Sequence, residues 1–234
     1  MIDFIEKELK DIPKKYKVRQ LPRRTVITGY KLLGIKTTAL RNCAKNLVDT
    51  IDLNVVLDLK PTTYEELTII GLIIAFKQCD IKDKFQAIEY FISINDNWAS
   101  NDIMTWSIKC KEEVYFDFLC GLFSKGIWGT RFAITAFMEN FLTSDYITRV
   151  LNTLSEIDYG NYYVDMAVAW LLADAYAEFK EEVVNYLEES NLPSSIMAKM
   201  VIKVRDAKKT NQADTEFINE VLKDILCKRE TYLK

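Results

Sequence analysis

Apolar residues recur every three or four positions through nearly all of the chain after Thr37, and this is the period of an α-helix. Within residues 81–92 the apolar positions step by 4, 3 and 4, and similar stripes run through residues 147–154 and 217–225. Few breakers interrupt these stripes, since the chain has only 7 Gly and 4 Pro residues. The pattern predicts an all-α protein.

Residue types that favour helix N-termini precede several of the stripes. The segments that open helices are spaced by about 31 to 35 residues, and each interval holds two amphipathic helices. We therefore expect an α-α superhelix, or solenoid, of antiparallel helix pairs in one domain over residues 1–234. In this domain a basic helical cap covers 1–50, the repeats cover 62–209, and a C-terminal helix covers 210–234. The predicted helix starts are Thr62 or Thr63, Asn97, Trp128, Ser144, Tyr162, Ser194 or Ser195, and Asp214.

The composition indicates a folded intracellular protein. Hydrophobic residues make up 49% of the chain, which is ample material for a core. The longest apolar run, residues 67–76, is about half the roughly 20 residues that cross a bilayer, and the N-terminus lacks the pattern of a secretory signal. We expect a cytoplasmic protein that does not enter a membrane.

The side chains available for chemistry are restricted. The chain has no histidine, so general bases, metal ligands and nucleophile pairs that depend on histidine are excluded. The five cysteines never form a Cys-x-x-Cys pair, and they predict neither a disulfide framework nor a zinc site. No metal or other cofactor is expected, and acid–base chemistry would depend on Asp, Glu, Lys, Tyr or water.

Charge is distributed unevenly along the chain. Residues 1–50 contain 12 Lys/Arg and 5 Asp/Glu, whereas the remaining residues contain 19 and 29. A basic end on an acidic body is typical of an arm that binds a polyanion, and it is equally typical of solvated helix faces.

Four polar or aromatic segments stand at the starts of repeat units. They are "NDNWASND" (95–102), "WGTR" (128–131), "YYVDMAVAW" (162–170) and the basic "KMVIKVRDAKK" (199–209). Because corresponding ends of stacked repeats tend to share one edge or concave face, we expect these segments to converge.

Five segments match, in order and spacing, the pattern of a known family. They are "YKLLGIKTTALRNCAKNL" (30–47), "YEELTIIGLIIAF" (64–76) and the first three of the segments named above, at 95–102, 128–131 and 162–170. This is the AlkD-like family of bacterial DNA alkylation repair glycosylases, built of HEAT-like repeats. The resemblance runs from about Tyr30 to Lys209. It implies a monomer that excises cationic N3- or N7-alkylpurines from double-stranded DNA without base flipping.

The family's functional residues match four positions here. They are Trp98 with Asp102, Arg131, and Trp170. An alkylated purine is already a good leaving group, and a carboxylate can stabilise the oxocarbenium character of the sugar and position water. Asp102 would supply that carboxylate. Trp98 and Trp170 would hold the cation by about 0.5–2 kcal/mol, and Arg131 would grip a phosphate through two hydrogen bonds.

Further contacts to the DNA backbone are expected from basic residues. These are Lys199, Lys203, Arg205, Lys208, Lys209 and Arg41, together with Arg23 and Arg24. One departure from the family is Ala173, where better-studied members tend to have a basic residue.

Each site residue also has a structural interpretation. Trp98 could pack in the core, as we assign Trp106 and Trp128; Asp102 could cap a helix; and Arg131 could pair with a carboxylate. Two other functions therefore stay open: a non-catalytic DNA-binding relative, and a helical-repeat scaffold that binds proteins.

Overall fold

The computed structural model describes Lys7, Asp11 and residues 26–232. Within that part of the chain the regular structure is helical, apart from an isolated bridge between Lys31 and Thr63. The all-α prediction is confirmed. The α-helices are α1 Thr37–Leu47, α2 Leu53–Val56, α3 Tyr64–Phe76, α4 Ile81–Ile94, α5 Trp98–Thr105, α6 Glu113–Gly121, α7 Gly126–Asn140, α8 Ile147–Thr153, α9 Tyr162–Glu178, α10 Lys180–Glu189, α11 Ser194–Asp206 and α12 Gln212–Tyr232, and two 3₁₀ turns occupy Leu122–Lys125 and Leu154–Glu156.

The chain divides into two compact units, unit 1 at Met1–Lys109 and unit 2 at Cys110–Lys234. Each has one central helix. In unit 1, α3 is buried from Tyr64 to Ala75 and packs against α1, α4 and α5. In unit 2, α9 packs against α7, α10 and α11, and α11 packs in turn on α12. Because nearly every side chain of α3 is buried, this helix needs neighbours on all sides, which accounts for its central place.

Side-chain caps explain where several helices begin. Thr63 and Glu66 form a reciprocal capping box at α3, and the Asn97 side chain accepts the Ser100 N–H at the start of α5, so both of these predicted starts are confirmed. Asp214 does not open the last helix. It lies in the first turn, and its backbone N–H bonds to the side chain of Asn211.

Polar contacts connect residues about one repeat interval apart. Examples are Tyr90 with the Leu59 carbonyl, the Cys110 N–H with Asn140, and Lys180 with Asp214, at separations of 31, 30 and 34 residues. These separations are close to the predicted repeat interval of about 31 to 35 residues, and each contact lies within one unit.

None of the helices in the described part of the chain combines the length and apolar character that a membrane span requires.

Gly71 allows α3 to approach α4 closely. A Cβ added there would lie 2.8 Å from Cε2 of Phe91, a fully buried residue. Gly71→Ala is therefore expected to lower the free energy of unfolding by about 1–3 kcal/mol through overpacking, even though Ala ordinarily favours a helix over Gly by about 1 kcal/mol. Urea denaturation measures the change.

The matched control is Gly121→Ala on α6, because no atom lies within 4 Å of a Cβ added there. This variant should be as stable as the wild type or slightly more stable. Equal stabilities of the two alanine variants would contradict the overpacking argument.

Candidate active site

Trp98 and Asp102 lie on α5, the short helix that follows the "NDN" loop. Because Trp98 is the first residue of α5 and Asp102 the fifth, the two side chains share a face of the helix. The cap of α5 is Asn97. The interpretation of Asp102 as a capping residue is therefore wrong.

Trp98 and Asp102 line a cavity of about 410 Å³ in unit 1. The cavity wall is largely apolar, and only 1% of Asp102 is exposed. Trp106, which the sequence led us to assign to packing, lines the same cavity. A carboxylate on the wall of an apolar cavity, with two indole rings beside it, is an arrangement that can hold an organic cation. The remaining lining residues are Val26, Leu32, Ile35, Lys36, Thr37, Tyr64, Ala99 and Ile103.

A buried carboxylate on α3 fixes one side of this cavity. Glu65 has no exposed surface, and its oxygens accept the backbone N–H groups of Leu33, Gly34 and Ile35 at 2.7–3.2 Å. Three donors on one carboxylate replace the water that burial removes. They hold the segment before α1, and Ile35 of that segment lines the cavity.

A second carboxylate fixes the chain at the entrance to α5. Asp96 accepts the Thr28 hydroxyl at 2.7 Å and the Gly29 N–H at 2.6 Å. In addition, the Tyr30 hydroxyl donates to the Ile94 carbonyl at 2.7 Å. Residues 28–30 are thus attached to the end of α4 and to the loop that precedes Trp98.

Asp102 has a polar neighbour on its own helix. The Asn101 amide donates to Oδ1 of Asp102 at 3.4 Å, and Asn101 is fully buried. This is a long hydrogen bond, so its contribution to the orientation of the carboxylate is small.

Arg131 lies on α7 of unit 2 and is 5% exposed. Its Nη1 donates to the carbonyl of Tyr163 at 2.7 Å, which ties α7 to the first turn of α9. The neighbouring Trp128 packs on the Tyr163 ring with centroids 5.1 Å apart, as its assignment to packing predicts.

Trp170 lies on α9 and lines a cavity of about 450 Å³ in unit 2. The Lys203 ammonium stands over its indole ring, 5.2 Å from the centroid. Lys208 and Lys209 line the same cavity. Three of the basic residues that we expect to contact the DNA backbone therefore line one cavity.

Most of the predicted phosphate contacts already have intramolecular partners. Lys199 pairs with Asp165 at 3.1 Å, and Arg205 pairs with Asp206 at 3.2 Å. Lys209 pairs with Glu178, and in unit 1 Arg41 donates to the Ser107 hydroxyl at 2.8 Å. Arg23 and Arg24 lie outside the described residues.

The comparisons with known proteins give one match. The sequence profile of a family described as DNA alkylation repair enzyme matches residues 5–210. No curated protein and no solved structure matched the chain.

Proposed function

Because this chain belongs to the family of DNA alkylation repair enzymes, we propose that it is a monofunctional DNA N-glycosylase. Its substrates are cationic N3- and N7-alkylpurines in duplex DNA, and the protein acts as a monomer. The observation that carries the proposal is the position of Asp102 on the wall of a cavity that Trp98 and Trp106 also line. That cavity offers both a carboxylate and aromatic faces to the sugar–phosphate edge of the cationic nucleotide, whose base stays stacked in the duplex.

The reaction breaks the bond between C1′ of the sugar and N9 of the purine. The bonding electrons leave with the ring, which becomes a neutral base, so no general acid is required. The sugar acquires oxocarbenium character, and the Asp102 carboxylate stabilises that positive charge. Water then attacks C1′, and Asp102 accepts its proton. A chain without histidine can carry out each of these steps.

The low polarity of the unit 1 cavity strengthens the proposed role of Asp102. Electrostatic interactions increase as water is excluded, and most of this cavity wall is apolar. The indole rings of Trp98 and Trp106 each attract a cation by about 0.5–2 kcal/mol, depending on desolvation. A neutral purine gains neither interaction, which accounts for selection of the charged lesion.

The DNA contacts in this proposal come from basic residues of both units, with the alkylated base left stacked in the duplex. Lys199, Arg205 and Lys209 exchange a carboxylate partner for a phosphate when DNA binds. Because the lost ion pair offsets part of the free energy gained on DNA binding, each of these residues contributes less to DNA affinity than a lysine that has no such partner.

The direct experiment is a base-release assay with wild-type protein. Methylated duplex DNA is incubated with the protein, and released 7-methylguanine and 3-methyladenine are separated and quantified. Release above the uncatalysed rate is expected. Salt-sensitive duplex binding without any release would contradict the proposal and identify a non-catalytic DNA-binding relative.

Lys208 offers a test of DNA contact in unit 2. It lines the 450 Å³ cavity and is exposed. Lys208→Ala is expected to weaken duplex binding whatever the sequence, and to reduce the slope of log affinity against log salt by about 1. Lys223→Ala, an exposed position on α12, is the control, and an equal effect of both changes would remove Lys208 from the DNA contacts.

A further inference from the structure

Four asparagine side chains are buried among the residues that the structure describes. They are Asn95, Asn97, Asn101 and Asn140, and each is at most 5% exposed. A carboxamide has two donor hydrogens and one acceptor oxygen, and burial removes the water that would otherwise bond to them. We therefore expect a buried asparagine to have a protein partner at both ends of its amide.

Three of the four asparagines have such partners. Asn140 accepts a backbone N–H at 2.9 Å and donates to a backbone carbonyl at 3.0 Å. The Asn97 oxygen accepts the Ser100 N–H, and its amide donates to Asp96. Asn95 accepts the Ser100 hydroxyl and donates to the Asn97 carbonyl. Partners at both ends fix the orientation of these amides.

The amide of Asn101 is not fixed in this way. Asn101 has no exposed surface, and its Oδ1 has no hydrogen-bond partner in the described part of the chain. Its nitrogen donates to Oδ1 of Asp102 over a long distance of 3.4 Å. The oxygen and nitrogen ends of a carboxamide have nearly the same size, so a half-turn about the terminal bond exchanges them without displacing neighbouring atoms.

Asn101 lies behind Asp102, away from the substrate. Trp98, Asp102 and Trp106 line the unit 1 cavity, and the intervening Asn101 is not part of its wall. A side chain in this position does not touch the substrate. It can influence the reaction only through Asp102.

We propose that Asn101 is a positioning residue that bonds to Asp102 in both of its protonation states. The inference rests on the proposed function, in which Asp102 is first an anion and then accepts a proton from water. While Asp102 is an anion, the Asn101 amide donates to it, as in the structure described above. Once Asp102 is protonated, its O–H donates to Oδ1 of Asn101, after the amide has made a half-turn.

The need for an acceptor follows from the transfer of one proton. Attack of water on C1′ forms a carbon–oxygen bond, and a proton of that water moves to the Asp102 carboxylate. The resulting carboxylic acid has an O–H donor in a buried position, and such a donor is destabilising unless it meets an acceptor. The unpartnered Oδ1 of Asn101 supplies that acceptor. No proton moves onto Asn101, and Asp102 releases its proton to solvent when the product leaves.

Asn101→Leu tests the proposal, because leucine keeps the approximate size of the side chain and removes both polar ends. Single-turnover release of 7-methylguanine from methylated duplex DNA should slow by about 10-fold, a part of the roughly 100- to 10,000-fold that a positioned proton acceptor contributes. The affinity for duplex DNA should stay at the wild-type value. The urea midpoint should not fall, since the change removes an unsatisfied buried oxygen. Asn101→Ala, which cannot overpack, should slow release by a similar factor.

The effect of Asn101→Leu should depend on Asp102. In an Asp102→Asn background no carboxylate accepts the proton, so adding Asn101→Leu should change the remaining rate by less than about 2-fold. A side chain that serves packing alone would give the same factor in both backgrounds. Asn140→Leu is the matched control. Both ends of that amide have partners, so its urea midpoint should fall while the folded protein releases base at the wild-type rate.

Wild-type rates of release in both Asn101 variants would overturn the proposal, and so would an equal loss of rate in the two backgrounds. Either result would leave the glycosylase activity itself in place, because the wild type still releases base. Absence of release by the wild type would overturn the proposed function and this inference together. Circular dichroism of each variant verifies that it is folded before its rate is compared.

Discussion

Asp102→Asn is expected to lower the rate of 7-methylguanine release from methylated duplex DNA by at least about 100-fold, because removing one preorganised electrostatic contact to a transition state has effects of about 100- to 1,000-fold. The amide preserves the shape of the side chain on the wall of the unit 1 cavity. It carries no negative charge, so it neither stabilises the oxocarbenium-like sugar nor accepts a proton from water.

Single-turnover base release measures this effect, and duplex affinity should change by less than a few fold. The control is Asp83→Asn, an exposed position on α4 of the same unit, for which wild-type activity is expected. If Asp102→Asn released base at the wild-type rate, Asp102 would not be the catalytic carboxylate.

Glu65→Ala is expected to lower the free energy of unfolding by about 3 kcal/mol or more, because several backbone N–H groups lose their shared acceptor at once. The change leaves the N–H groups of Leu33, Gly34 and Ile35 without their acceptor, and each buried unsatisfied group is destabilising by about 1–3 kcal/mol. It also leaves a void beside α3. Urea denaturation of both proteins gives the difference.

Asp58→Ala serves as the matched control, since Asp58 is an exposed acidic residue of the same unit. Its free energy of unfolding should stay within about 0.5 kcal/mol of the wild-type value. A similarly small change in Glu65→Ala would mean that water replaces the carboxylate and that the segment before α1 does not depend on it.

The helical architecture was predictable because it depends on a pattern that repeats many times. Apolar residues at helical spacing define α4 and α8 without any knowledge of their neighbours. Helix ends depend on single side chains, and there the prediction is less accurate. Aspartate is a common capping residue, yet here Asn211 is the cap, because its side chain accepts the Asp214 N–H. The Asp214 carboxylate in turn accepts the Asn211 N–H at 2.9 Å.

The pairing of Trp98 with Asp102 was also predictable, because residues four apart on one helix meet by geometry alone. Other parts of the site come from contacts between distant positions. Glu65 reaches Gly34, 31 residues away, and Asp96 reaches Thr28, 68 residues away. The one available signal was the charge itself, since Glu65 lies in the first turn of a helix that is mostly apolar.

The basic residues also make contacts with distant positions that the sequence does not show. Their charge suggested phosphate contacts, and sequence spacing alone could not show the carboxylates that pair with Lys199 and Lys209. Those partners lie 34 and 31 residues away, close to one repeat interval. When a basic residue lies about one repeat interval from an acidic residue, an ion pair between the two should therefore be considered before a contact to a phosphate.

The attachment of residues 28–30 to Asp96 has a consequence for protein engineering. Thr28 and Gly29 bond to Asp96 in the loop before Trp98, and Val26 lines the cavity that contains Asp102. A deletion through Tyr30 would therefore remove part of the wall of the unit 1 cavity and not merely shorten the chain.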